Sequence, residues 1–67
     1  MDLLTAREAA EWLHADRNYV YRLINAKMLP SMKIGSLKIR EQALDDFLSQ
    51  HEGYDVDKLL KERESTH

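Results

Sequence analysis

Val20-Tyr21-Arg22-Leu23-Ile24 and, beyond Leu29-Pro30, Met32-Lys33-Ile34-Gly35-Ser36-Leu37-Lys38-Ile39-Arg40 decide how this chain folds. In the first stretch the apolar side chains recur at helical spacing, so that Val20, Leu23 and Ile24 form one stripe. In the second the hydrophobic period drops to two, which is the signature of strands. Pro30 marks the change, because the residue before a proline is pushed out of the helical well. A two-residue turn at Gly35-Ser36, with glycine first as a type II′ turn prefers, predicts a hairpin. That register pairs Ile34 with Leu37 and Met32 with Ile39 on one face, and Lys33 with Lys38 on the other.

Toward the N-terminus, Thr5-Ala6-Arg7-Glu8 has the capping-box spacing, in which the Thr5 hydroxyl and the Glu8 carboxylate each take an otherwise orphaned backbone amide. Leu4 and Ala9 stand at the positions of a weak hydrophobic staple. Ala9, Ala10 and Leu13 then recur at helical spacing, predicting a helix over 6–13. His14-Ala15 breaks it, His14 suiting a left-handed backbone. Asp16 is a favourable N-cap for the next helix. Two short helices across so tight a break predict a helix-turn-helix. Toward the C-terminus, Leu44, Phe47 and Leu48 predict a closing helix over about 41–50, broken by His51-Glu52-Gly53. Val56, Leu59 and Leu60 behind Asp55 suit a short amphipathic helix, while residues 61–67 are polar enough to fray. The expected class is mainly α with a small β-hairpin. The expected architecture is a winged helix-turn-helix over 1–50, comprising a helix-turn-helix, a two-stranded wing and a closing helix, with a tail over 51–67.

Charge follows the same division. Arg17 to Arg40 contains six cations (Arg17, Arg22, Lys27, Lys33, Lys38 and Arg40) and no carboxylate, although the 67-residue chain has 10 Lys/Arg, 12 Asp/Glu and a net charge of -2. A cationic window on an acidic body is the footprint of a polyanion-binding surface, most often nucleic acid. A chain this short buries only ~60% of its unfolded surface, so the core is thin. There is no cysteine, and His14, His51 and His67 lack metal-ligand spacing, so no disulfide, zinc or other cofactor is expected. No apolar run suits a membrane span, and Met1-Asp2 leads straight into a helix-start pattern rather than a signal peptide. A soluble cytoplasmic protein without a membrane partner is expected.

Catalysis finds no constellation. Glu8, Glu11, Asp45 and Asp46 read as solvated helix faces, and Ser31, Ser36 and Ser49 have no base or oxyanion loop beside them. Neither an enzyme nor a small-molecule substrate is expected. The second helix carries the stronger signal. With Val20, Leu23 and Ile24 inward, the 100° step per residue places Asn18, Arg22 and Asn25 outward, with Tyr21 on the flank and Arg17 in the first turn. Arg and Asn make the bidentate contacts that read guanine and adenine in the major groove. An ordinary solvated helix face is polar too, but this one has no carboxylate after Asp16 and exposes Tyr21 beside Arg22. In the predicted hairpin Lys33 and Lys38 repel each other across the strands, which a phosphate between them would relieve. Lysines on an edge hairpin also simply discourage aggregation. Arg40 extends the strip.

Leu3-Leu4-Thr5-Ala6-Arg7-Glu8-Ala9-Ala10-Glu11-Trp12-Leu13, Val20-Tyr21-Arg22-Leu23-Ile24, Leu29-Pro30, Ile34-Gly35, Ile39-Arg40 and Leu44-Asp45-Asp46-Phe47-Leu48 together resemble the excisionase family. These are small winged helix-turn-helix domains related to the DNA-binding part of mercury-resistance-type (MerR) regulators. The resemblance runs over residues 3–48. It implies that the second helix enters the major groove through Arg17, Asn18, Tyr21 and Arg22. It implies also that Lys33, Gly35, Ser36 and Lys38 form a wing against the neighbouring minor groove or backbone. His14-Ala15-Asp16 stands where the family often has Gly-Val-Ser, and Lys27 stands where glycine is common.

The function so implied is that of a recombination directionality factor: it binds and bends double-stranded DNA at an attachment site beside neighbouring protomers and helps an integrase run excision. A small phage or plasmid transcription regulator would need the same face. A protein-interaction adaptor using Val56, Leu59 and Leu60 is the rival from another class. The surface that this stripe needs is the chain's own domain, a neighbouring protomer or the recombinase, and the tail is expected to be dispensable for folding.

Overall fold

Thr5 opens the first helix as its spacing dictates. Its Oγ accepts from the Glu8 amide at 3.1 Å while its own amide donates to the Glu8 carboxylate at 2.9 Å. The structure, a computed structural model, describes residues 2–65. The order is β1 (Leu3–Thr5), α1 (Ala6–Leu13), α2 (Arg17–Asn25), β2 (Met32–Ile34), β3 (Ser36–Arg40), α3 (Glu41–His51) and α4 (Val56–Ser65). Asp16 caps α2 by accepting from the Tyr19 amide at 2.9 Å. The breaks after α1 and α2 both use left-handed residues, His14 at φ 55° and Lys27 at φ 64°. These are two positions at which glycine would carry no steric cost.

Among the described residues, four small helices and an antiparallel sheet enclose one core of Leu4, Ala6, Ala9, Ala10, Val20, Leu23, Leu29, Ile39, Leu44, Phe47 and Leu60. The winged helix-turn-helix class expected from the sequence is the class observed. The wing, however, has three strands in the order β1-β3-β2 rather than two. β1 pairs with β3 in the register Leu4↔Ile39, which sets both side chains into the core.

The hairpin register differs from expectation by one residue. Ile34 lies opposite Ser36, Lys33 opposite Leu37 and Met32 opposite Lys38, leaving Gly35 alone at the apex with φ +75°. Lys33 and Lys38 are therefore not opposed, and their mutual repulsion is not a feature of the fold. The physical reason lies in which strand the core holds. β3 is fixed by Ile39, whereas all three residues of β2, an edge strand, are exposed, so hydrophobic burial does not select its register. Lys38 adds a local tie, its Nζ donating to the Ile34 carbonyl at 3.1 Å and to Ser36 Oγ at 2.9 Å. Replacing Gly35 by alanine meets no atom within 4 Å, so any cost is purely of backbone conformation. Urea unfolding of Gly35→Ala is expected to show a loss of about 1–2 kcal/mol.

Two further expectations are corrected. Leu48 is 41% exposed, because α3 turns Leu44 and Phe47 inward with Ala43 on their flank, and Leu48 falls off the edge of that face. The segment from Lys61 onward, expected to fray, is helical as far as Ser65; Thr66 and His67 lie outside the described residues. Asp55 caps α4 by accepting from the Lys58 amide at 3.1 Å, and Leu60 is completely buried. Leu60 of the tail's apolar stripe thus lies in the chain's own core with Val56 packed against it; whether the domain folds without the tail is decided by the truncation described in the Discussion.

Candidate nucleic-acid interface

α2 exposes the residues that its periodicity places outward. Val20 and Leu23 are fully buried, while Arg17, Asn18, Tyr21 and Asn25 are exposed and Arg22 is half-exposed. The helix has no acidic residue of its own. Beyond it, a concavity of about 380 Å³ lined by Ile24, Lys27, Leu29, Pro30 and Ser31 leads from the end of α2 to the start of β2. On the wing, Lys33, Gly35 and Ser36 are exposed at or beside the tip. Lys38 is half-buried, folded back over the tip by the two hydrogen bonds described above. Arg40 is exposed at the end of β3, 3.6 Å from the Asp2 carboxylate.

The six cations therefore differ in availability. Among the described residues Arg17, Lys27, Lys33 and Lys38 have no carboxylate partner, and Arg40 has a long, solvent-exposed one. Arg22 is engaged at close range. Its Nε donates to Glu64 Oε2 and its Nη2 to Glu64 Oε1, both at 2.8 Å. The guanidinium carbon also lies 5.8 Å from the centroid of the Tyr19 ring, whose hydroxyl donates to Asp57. Arg63 completes the seam by donating to the Ala26 carbonyl at 2.7 Å, at the C-terminal end of α2, where a cation complements the helix dipole.

Asp57, Leu60 and Glu64 share one face of α4 at i, i+3, i+7 spacing, and this face closes on the flank of α2 formed by Tyr19, Arg22 and Ala26. Arg22, which the helical step places outward with Asn18 and Asn25, lies at the boundary of that face with α4. Sequence reasoning did not find Asp57, Glu64 or Tyr19. The spacing around Leu60 was visible, but the helix it would meet was not.

These contacts set protonation in a consistent direction. The hydrogen bonds between them hold the Glu64 carboxyl below its ordinary value and the Arg22 guanidinium above its own. With its folded value lowered, Glu64 contributes stability that is present above 4.5, the ordinary value, and lost as pH falls through the folded one. Burial first, and then the hydrogen bond to Asp57, push the Tyr19 phenol up to about 12. Tyr19 thus remains a neutral donor at physiological pH. Among the described residues no three His, Cys, Asp or Glu come together to hold a metal ion, and no helix is long and apolar enough to cross a membrane.

A capped helix, a left-handed break, a second helix with an outward Arg/Asn face and a β-wing define a DNA-binding helix-turn-helix protein. The chain belongs to the helix-turn-helix domain family, whose model matches residues 3–52. No curated protein and no solved structure matches it significantly.

Proposed function

We propose that the protein reads double-stranded DNA with α2 in the major groove and the β2–β3 tip against the neighbouring minor groove or backbone. In this reading it acts as an excisionase, a recombination directionality factor that bends attachment-site DNA so that an integrase runs excision. The observation that carries the DNA-reading geometry is the outward face of α2. It is about 13 Å long, free of acidic residues and bordered by unpaired cations, and it presents Arg17, Asn18 and Tyr21 to solvent. The excision role is supported by the resemblance over residues 3–48. The protein contributes binding and bending, with no catalytic step of its own.

In this proposal Arg17, Asn18, Tyr21 and Arg22 form the reading set, while Lys33, Gly35, Ser36, Lys38 and Arg40 form the backbone-gripping set. Arg22→Ala is expected to relax preference at one base step, lowering the affinity ratio of specific to scrambled duplex by about 5- to 150-fold. Lys38→Ala is expected to weaken both duplexes alike and to flatten the salt dependence by about one unit. Competition binding with the two duplexes separates these outcomes, and equal loss of preference in both variants would refute the assignment. Footprinting on an attachment region and on promoters decides the biological role: protection of promoters alone would favour a transcription regulator. Binding to a protein partner that survives neutralisation of the basic window would favour an adaptor.

A further inference from the structure

The ion pair between Arg22 and Glu64 raises a question of chemistry, since it sets a carboxylate beside a surface that should meet a polyanion. The geometry of the pair answers it. Glu64 occupies the Nε/Nη2 edge of the guanidinium, one oxygen to each nitrogen. That leaves the Nη1/Nη2 end of the planar fork, which still carries one outward N–H on each nitrogen. Two parallel donors at that spacing match O6 and N7 of guanine in the major groove.

Three restraints fix the plane of the fork: the two hydrogen bonds to Glu64 and the Tyr19 ring beneath it, itself tied to Asp57. Both carboxylates come from one face of α4, and Leu60 between them is anchored in the core. The side chain is thus pre-ordered, which removes part of the cost of immobilising a long arginine on binding. The carboxylate also balances the positive charge locally, so Arg22 gains little from a phosphate, whereas a base edge offers directional acceptors.

We propose that Glu64 is a positioning residue for specificity: it aims Arg22 at a base edge and discourages it from binding the backbone indiscriminately. The proposal rests on the base-reading role of α2. It assigns to α4 a share in recognition that its position outside the helix-turn-helix would not suggest.

The test uses the full chain, a duplex that the wild-type protein enriches from a randomised pool, and a scrambled duplex of equal composition. Glu64→Gln keeps the side chain's length but removes its charge, and circular dichroism with thermal melting verifies that it remains folded. The expected result is a divergence. Affinity for the enriched duplex falls, affinity for the scrambled duplex rises, and the salt slope on the scrambled duplex steepens by about one unit as Arg22 becomes free to bind phosphate. In the Arg22→Ala background the same substitution should leave the specific-to-scrambled ratio unchanged. If Glu64→Gln tightens both duplexes equally, the pair is an autoinhibitory latch and the proposal is overturned. If neither affinity moves, it is a surface ion pair and the proposal is again overturned. Failure of the wild-type protein to enrich any sequence would overturn the base-reading role itself. An enriched sequence with an unchanged ratio in the variant would overturn only the role of Glu64.

Discussion

Replacing Leu60 by alanine is expected to destabilise the protein by about 2–5 kcal/mol, the range for deleting a fully buried leucine side chain into a packed core. Leu60 has no exposed surface and joins Val20, Leu23, Phe47 and the other core residues in one cluster. A domain of this size has roughly 3–10 kcal/mol of stability in total, so one substitution removes much of it. Urea unfolding followed by circular dichroism measures the loss. Truncation after Gly53 removes Leu60 together with the contacts of Asp57, Arg63 and Glu64 to α2, and should leave a protein that neither folds stably nor binds DNA. A truncated chain that melts like the full-length protein would show that α4 is an appendage.

DNA affinity is expected to fall with salt at a slope of about -4 in log K against log salt concentration. Each neutralised phosphate contributes about -0.9, and four to five cations have no close carboxylate partner. Those are Arg17, Lys27, Lys33 and Lys38, with Arg40 as the fifth because its contact with Asp2 is long and exposed. Arg22 is left out of the count because Glu64 balances its charge. Between 50 and 200 mM salt, a slope of about -4 amounts to a loss of roughly 250-fold. Fluorescence anisotropy over a salt series gives the slope directly. A flat line would remove the case for a phosphate-binding surface and favour the protein-interaction adaptor.

The elements legible in advance were those specified by local chemistry. The capping box at Thr5 and Glu8, the Asp16 cap, the left-handed break at His14 and the outward set on α2 each depend on residues within one or two turns of each other. Backbone satisfaction and helical periodicity operate over that distance, and they act the same way in a short segment as in a folded domain. The cationic window between Arg17 and Arg40 was legible for a related reason, being a property of chain order alone.

What required the tertiary structure was every choice made between distant segments. The pairing of Leu4 with Ile39 adds a third strand to the wing and holds β3 against the core, while exposed β2 pairs one residue away from the register its alternation suggested. No local pattern could select that register, because Met32 and Ile34 both stay exposed in it rather than entering the core. The fate of Leu60 was open for the same reason. Its spacing with Val56 announced an amphipathic helix but not the surface that would cover it. Docking α4 into the core brought Glu64 to Arg22, 42 residues away in sequence, and converted a free cation of the basic window into an oriented one. Periodicity determines which way a side chain points from its own helix; which neighbour it meets there is decided only when the core closes.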